Sequence, residues 1–298
     1  MTLDENNPLP PHGATSAGAV DPTQSQAAPA AGSDPASQPP HDPPLPEDLQ
    51  APWGWTDLLL LGLIAVFGTG IAALFLTGIF AAFGIKPGHI QGSESERNLF
   101  IILDQALLSL GLLTYLMAQM RHRFQKPFWS ALGWRELDTG KTPRIVAYLG
   151  LIFGGFTLSI LIQLASAGME TKTKMPIEML FHDRRSAFLL MLMGILLAPL
   201  VEETIFRGYI YPVLARSFGV GTGVIATGVL FGLLHAPQLG GAWAQTALLM
   251  VVGIVFTFAR AVTRTVVASY LLHVSYNSFL FLAFLLASHG LRHLPPGR

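Results

Sequence analysis

Three ionisable side chains, Glu202, Glu203 and Arg207, interrupt a stretch from residue 187 to 210 that is otherwise dominated by Leu, Met, Ile and Phe. An ionised group near the centre of a bilayer costs roughly 2.5 to 3.5 kcal/mol on insertion scales, so charge kept there marks a functional site by default. Helical spacing separates the three. Glu203 and Arg207 are four residues apart on one face, in the favourable acid-before-base order, and form an ion pair. Glu202 is turned about 100° from that face and has no sequence-local partner. An unpaired intramembrane carboxylate is suited to acid–base chemistry.

Two of the nine histidines, His235 and His273, lie inside apolar segments. Each has a neighbour on its own helical face, Phe231 four residues before His235 and Asn277 four residues after His273. If the runs on either side of Phe218 form an antiparallel hairpin, Glu202 lies 16 residues from the turn and His235 lies 17. At 1.5 Å per residue they come out level, carboxylate facing imidazole. His273 is only about nine residues past the next turn on that side, so straight helices leave it short of the pair by roughly 10 Å. One site containing all three requires tilted or broken helices. Glu202, His235, His273 and Asn277 are also a donor set that zinc accepts with an open position for water. No His-Glu-x-x-His helix is present, and the preferred reading has no cofactor, with zinc as its rival.

The elements that carry these residues follow from composition. Hydrophobic residues make up 51% of the chain and charged residues only 12%, about half the share usual in soluble domains, which assigns most of the chain to lipid. Seven apolar runs approach the ~20 residues a span needs: 56–83, 99–119, 144–167, 187–210, 220–236, 242–259 and 265–287, the fifth and sixth being short. The fold expected is all-α, a polytopic transmembrane bundle of about seven to eight helices. Residues 1–52 hold twelve of the 21 prolines among Ala, Ser, Gln and Gly, a composition that cannot bury enough apolar surface to order itself. They are expected to be a disordered tail, with 53–290 as the membrane domain and 291–298 as a polar tail that begins just after His289. The stretch 127–137, with Phe128, Trp129 and Trp134 beside Arg135, is expected to lie along the interface.

Gly219 with Gly223, and Gly228 with Gly232, have the small-xxx-small spacing of closely packed membrane helices. Asp104 is expected to make a polar contact between helices, and His289 and His293 to be solvated. The loop after the second run carries Arg121, Arg123, Lys126, Arg135, Lys141 and Arg144, which the positive-inside rule assigns to the cytoplasm together with the N-terminal tail. Lys172, Lys174, Arg184 and Arg185 would then lie outside. A zero net charge gives no support to nucleic-acid binding, and the absence of cysteine excludes disulfides and thiolate chemistry. Residues 1–52 also lack a basic n-region and an early apolar run, so a cleaved signal peptide is not expected.

Taken in order, Glu202-Glu203-x-x-x-Arg207, Phe231-x-x-x-His235 and His273-x-x-x-Asn277 resemble the three motifs of the CAAX protease and bacteriocin-processing (Abi) family of intramembrane endopeptidases, which includes the type II CAAX prenyl endopeptidases. The resemblance covers residues 187–287. It implies that Glu202, with His235, activates a water to attack a peptide carbonyl, that His273 and Asn277 stabilise the oxyanion, and that Glu203 and Arg207 support them. It further implies a protein or peptide substrate, lipidated or not, and a multi-pass protein of the bacterial cytoplasmic membrane. A non-proteolytic alternative uses the same polar cluster in a transport cavity, or in an immunity or scaffolding role. The two differ in outcome, since a protease needs Glu202 and His235 whereas a scaffold tolerates their replacement.

Overall fold

The computed structural model describes residues 46–85, 87–169, 180–181 and 183–294 of the 298-residue chain. Among these residues there are helices and no strands. The apolar runs become α1 (Trp55–Ala82), α3 (Glu94–Ala118), α5 (Arg144–Ser166), α9 (Val220–His235), α10 (Trp243–Thr263) and α11 (Val266–Ala287), with short helices α2 (Pro87–Gly92) and α4 (Phe128–Ala131) between them. The fourth run is a 35-residue rod, Arg184–Phe218, built from α6 (Arg184–Leu192), α7 (Ala198–Glu203) and α8 (Tyr211–Phe218), joined by wide π-helical turns at Met193–Leu197 and Thr204–Ile210.

Among the described residues six helices are long and apolar enough to cross a membrane, and the seventh candidate, α9, is shorter. With 16 residues, α9 is about 24 Å long, short of a ~30 Å hydrocarbon core. Its C-terminal residue is His235. The faces turned away from the bundle are apolar, as with Leu59, Val66, Phe67 and Leu74 on α1, and this is the sign of helices solvated by lipid.

Close approach is built from glycine. A Cβ on Gly228 would stand 2.4 Å from Ile254 N, and one on Gly253 would stand 2.6 Å from Gly228 O, so α9 and α10 touch backbone to backbone. Helix ends are marked by side chains that accept orphan backbone N–H groups. Asp183 accepts from Ser186 N at the start of the rod, and Thr265 from Val267 N at the start of α11.

The tail expected at 1–52 divides. Residues 1–45 lie outside the described residues, but 46–52 are packed on the bundle together with Trp53. Asp48 pairs with buried Arg260 at 2.8 Å, Leu49 packs against Tyr211, Ala215 and Val224, and Arg216 donates to the Ala51 and Trp53 carbonyls at 2.5 and 2.7 Å. Trp53 stacks on Tyr209 with ring centroids 4.9 Å apart and donates to its carbonyl at 2.8 Å. Composition misses this strap because three or four anchoring contacts suffice to hold a segment whose average is polar. In the C-terminal tail, 295–298 lie outside the described residues, and the His289 and His293 rings meet edge to face at 5.2 Å.

The stretch 127–137 is not a span, and part of it packs against the bundle. Leu132 is fully buried, its carbonyl against Gly208, and Trp134 Nε1 donates to Thr204 Oγ1 at 3.1 Å. It closes one end of the bundle. Asp104 is half-buried on α3, and its Oδ1 has no hydrogen-bond partner among the described residues, so that atom does not make the interhelical contact expected of it.

Candidate active site

Glu202 and Glu203 end α7, between the two wide turns of the rod. Such π turns break the 3.6-residue register and occur often at functional sites. Glu203 is fully buried, and its Oε1 accepts from Arg207 Nη1 at 2.9 Å, the ion pair expected from the four-residue spacing. Arg207 is also fully buried. Its Nε donates to Thr257 Oγ1 at 3.2 Å and its Nη2 to Gly253 O at 2.8 Å, and its guanidinium carbon lies 4.6 Å from the Phe231 ring centroid.

Glu202 points elsewhere, as the 100° rotation requires. Its Oε1 is 3.8 Å from His235 Nε2 and its Oε2 is 3.7 Å from His273 Nε2, with about a quarter of its side chain accessible. His235 and Glu202 are level, as the hairpin arithmetic expects. The ~10 Å shortfall expected for His273 is absent. The α10–α11 turn does not reach the end of the rod. Arg260 stands over Tyr211 at the start of α8, and Val266 N–H donates to Gly133 O in the loop that closes the bundle. Helix α8 therefore overhangs that turn, and the offset closes.

The imidazole tautomers follow from their fixed partners. His235 Nδ1 is 2.7 Å from the Phe231 carbonyl, which can only accept, so Nδ1 carries a proton. His273 Nδ1 is 2.9 Å from Glu203 Oε1, a carboxylate already taking Arg207, so this nitrogen is again the donor. Both rings thus turn Nε2 toward Glu202. His273 is further held between Phe256, at 4.8 Å centroid separation, and Phe231, at 5.8 Å.

Asn277 lies one turn beyond His273 on α11, about 6 Å along the axis. Its Nδ2 donates to Gly194 O at 2.7 Å. The wide turn at Met193–Leu197 shifts the backbone bonding by one residue and Pro199 brings no N–H, which leaves carbonyls in this turn short of donors. Asn277 supplies one.

The spacing around Glu202 bears on metal. The ligands of a tetrahedral zinc, at 2.0 to 2.1 Å from the ion, stand about 3.3 Å apart. Glu202 stands 3.8 Å from His235 and 3.7 Å from His273, wider than that, and no group of three or more His, Asp or Glu is drawn into a metal shell among the described residues. Gaps of 3.7 to 3.8 Å are also too long for direct hydrogen bonds.

Gly194, Gly253, Phe256 and Thr257 were not legible as site residues. Gly253-x-x-x-Thr257 on α10 reads as ordinary membrane-helix composition, and only the pairing of this face with the buried arginine singles it out.

Residues 184–279 match the family model described as type II CAAX prenyl endopeptidase Rce1-like. The match runs from the start of α6 to two residues past Asn277 and takes in all three motifs. No curated protein matches the chain, and no solved structure does. Six apolar helices among the described residues make this an integral, multi-pass membrane protein, and its segment 184–279 is similar to the type II CAAX prenyl endopeptidase Rce1-like family.

Proposed function

We propose that this Rce1-like chain is an intramembrane endopeptidase in which Glu202 activates water to hydrolyse a peptide bond. The observation that carries the reading is the contrast between adjacent carboxylates. Glu203 is wholly enclosed and committed to Arg207 and His273, whereas Glu202 is accessible and faces two imidazole Nε2 atoms at 3.7 to 3.8 Å.

In this reading a water between Glu202 and His235 gives one hydrogen bond to the carboxylate and one to His235 Nε2, which turns an oxygen lone pair toward the substrate. As the water oxygen bonds to the scissile carbonyl carbon, its proton passes to Glu202. The carbonyl oxygen becomes an oxyanion, accepting from His273 Nε2 and from the amide hydrogen of Asn277 not used on Gly194. When the C–N bond breaks, Glu202 returns the proton to the leaving amine.

The role given to His273 needs a second proton on its ring. Two carboxylates face one guanidinium in this site, and a buried net charge is costly. One further proton offsets it. On His273, which already donates from Nδ1 to Glu203, that proton makes Nε2 a donor as well.

Zinc, when bound, would supply Lewis-acid polarisation and a more acidic water. His235, His273 and Glu202 would be its ligands, but as they stand Glu202 lies farther from both imidazoles than its shell allows, so the steps above use the side chains alone. The substrate class proposed is a membrane-associated peptide or lipidated protein, reached in a bacterial cytoplasmic membrane with the basic loop at 121–144 on the cytoplasmic side.

The test is cleavage in liposomes of three peptide sets: farnesylated peptides with a CAAX-type end, the same peptides without the lipid, and transmembrane peptides. Cleavage of one set, abolished in Glu202→Ala, supports the reading, and preference for the farnesylated set fixes the substrate class. A bilayer-inserted, folded wild-type protein that cleaves none of them, or a Glu202→Ala protein as active as wild type, would favour the non-proteolytic role.

A further inference from the structure

The three motifs lie on the rod, α9 and α11, and assign no role to α10, although its Gly253, Phe256 and Thr257 touch the site. The geometry points to Thr257 on α10 as a positioning residue for His273, acting through Arg207 and Glu203. This inference rests on the proposed role of His273 in hydrolysis.

The chain of contacts is short and fully enclosed. Thr257 Oγ accepts from Arg207 Nε at 3.2 Å and donates to Gly253 O at 2.7 Å, so the hydroxyl's one proton is committed to the backbone and its lone pair is presented to the guanidinium. Gly253 O also takes Arg207 Nη2 at 2.8 Å. Nε and Nη2 fix the plane of the guanidinium from α10, and Nη1 is then aimed at Glu203 Oε1. The same Oε1 takes His273 Nδ1. A guanidinium is a rigid fork, so loss of its Nε partner permits rotation about the other two bonds, and that rotation moves the carboxylate that orients the imidazole. Thr257, Arg207 and Glu203 are all without solvent access, so water does not readily replace the lost acceptor.

A threonine inside a membrane helix commonly returns its hydroxyl proton to the carbonyl four residues earlier, as Thr69, Thr77 and Thr114 also do here. Thr257 differs in that the second face of its oxygen receives a charged donor. The role of its hydroxyl is thus separable from helix solvation, because valine keeps the shape and removes the acceptor.

The experiment compares Thr257→Val, Thr257→Ala and Thr257→Ser in the full chain, purified in detergent micelles, with two readouts. The first is cleavage of a farnesylated peptide. Val and Ala should lower kcat by about 10- to 100-fold, the scale of a displaced orienting group, and leave KM within about twofold, while Ser should restore kcat to within about threefold of wild type. The second is the ¹⁵N spectrum of histidine-labelled protein, with the His273 signals identified by their loss in His273→Gln. Val and Ala should shift the His273 Nδ1 resonance, and Ser should return it. Wild-type kcat with wild-type His273 resonances in a folded Val or Ala variant would overturn the proposal, and so would failure of Ser to restore either readout. If the wild type cleaves no peptide, the protease reading fails alone, and the His273 resonances still decide whether Thr257 positions the ring.

Discussion

Glu203 and His273, seventy residues apart in the chain, meet carboxylate to imidazole at 2.9 Å, and the oxygen that receives His273 Nδ1 is the one that receives Arg207 Nη1. The ion pair is therefore not an isolated stabilising contact but the support of an imidazole. Removing one partner of a buried pair strands the other charge and costs roughly 3 to 5 kcal/mol, whereas removing both is milder. Thermal unfolding in detergent should show Arg207→Ala to be less stable than the double variant Glu203→Ala, Arg207→Ala. Effects that simply add would mean the two are not coupled.

The contact between α9 and α10 gives a second expectation. At Gly228 a methyl group would run into Ile254 backbone nitrogen, which cannot swing away as a side chain can. Gly228→Ala should force the helices apart at a cost of about 1 to 3 kcal/mol, and should slow cleavage by carrying His235 away from Glu202. Gly221→Ala on the same helix, where the added methyl meets open space, should do neither. Equal stability of the two variants would contradict the packing described.

Much of this site was legible in the sequence, and the reasons are local. Four-residue spacing on a helix fixed the Glu203–Arg207 pair, and residue counts from the turn at Phe218 brought Glu202 level with His235. The position of His273 was not legible, because it depends on where the α10–α11 turn sits against α8 and on the loop around Gly133, both set by tertiary packing. The partner of Asn277 was hidden for a similar reason. A carbonyl freed by a wide turn leaves no mark in sequence beyond Pro199. The strap at 46–53 was missed because its hold lies in single pairs such as Asp48 with Arg260, whereas composition averages over a window.

Outside the membrane-spanning segments, Asp183 caps the rod. Burial raises its pKa, but hydrogen bonds from Ser186, Asn98 and Ser95 outweigh that and hold the carboxyl below its ordinary value. A group depressed by folding stabilises the fold above its unfolded pKa and loses that contribution as pH falls through the folded one. Asp183→Ala should cost about 1 kcal/mol at neutral pH. The difference in melting temperature from wild type should persist at about pH 5 and shrink only below the ordinary carboxylate range near 3.9. A difference that stays constant into strong acid would show that the ionised cap is not its source.

Metal removal separates the two chemistries that the site residues permit. With Glu202, His235, His273 and Asn277 acting alone, a chelator leaves turnover unchanged, and elemental analysis of active enzyme finds far less than one metal per chain. Stoichiometric zinc that is lost in His235→Ala and His273→Ala, with activity regained by the stripped wild type on adding zinc, would reassign those histidines as ligands and leave the site where it is.

Glu202→Gln keeps the size and shape of the side chain and removes its capacity to take a proton from water, so its turnover tests the central claim. Measured on a cleavable farnesylated peptide, with protein whose melting temperature matches wild type, kcat should fall by roughly 100-fold or more. Turnover within a few-fold of wild type in that folded variant would contradict the account.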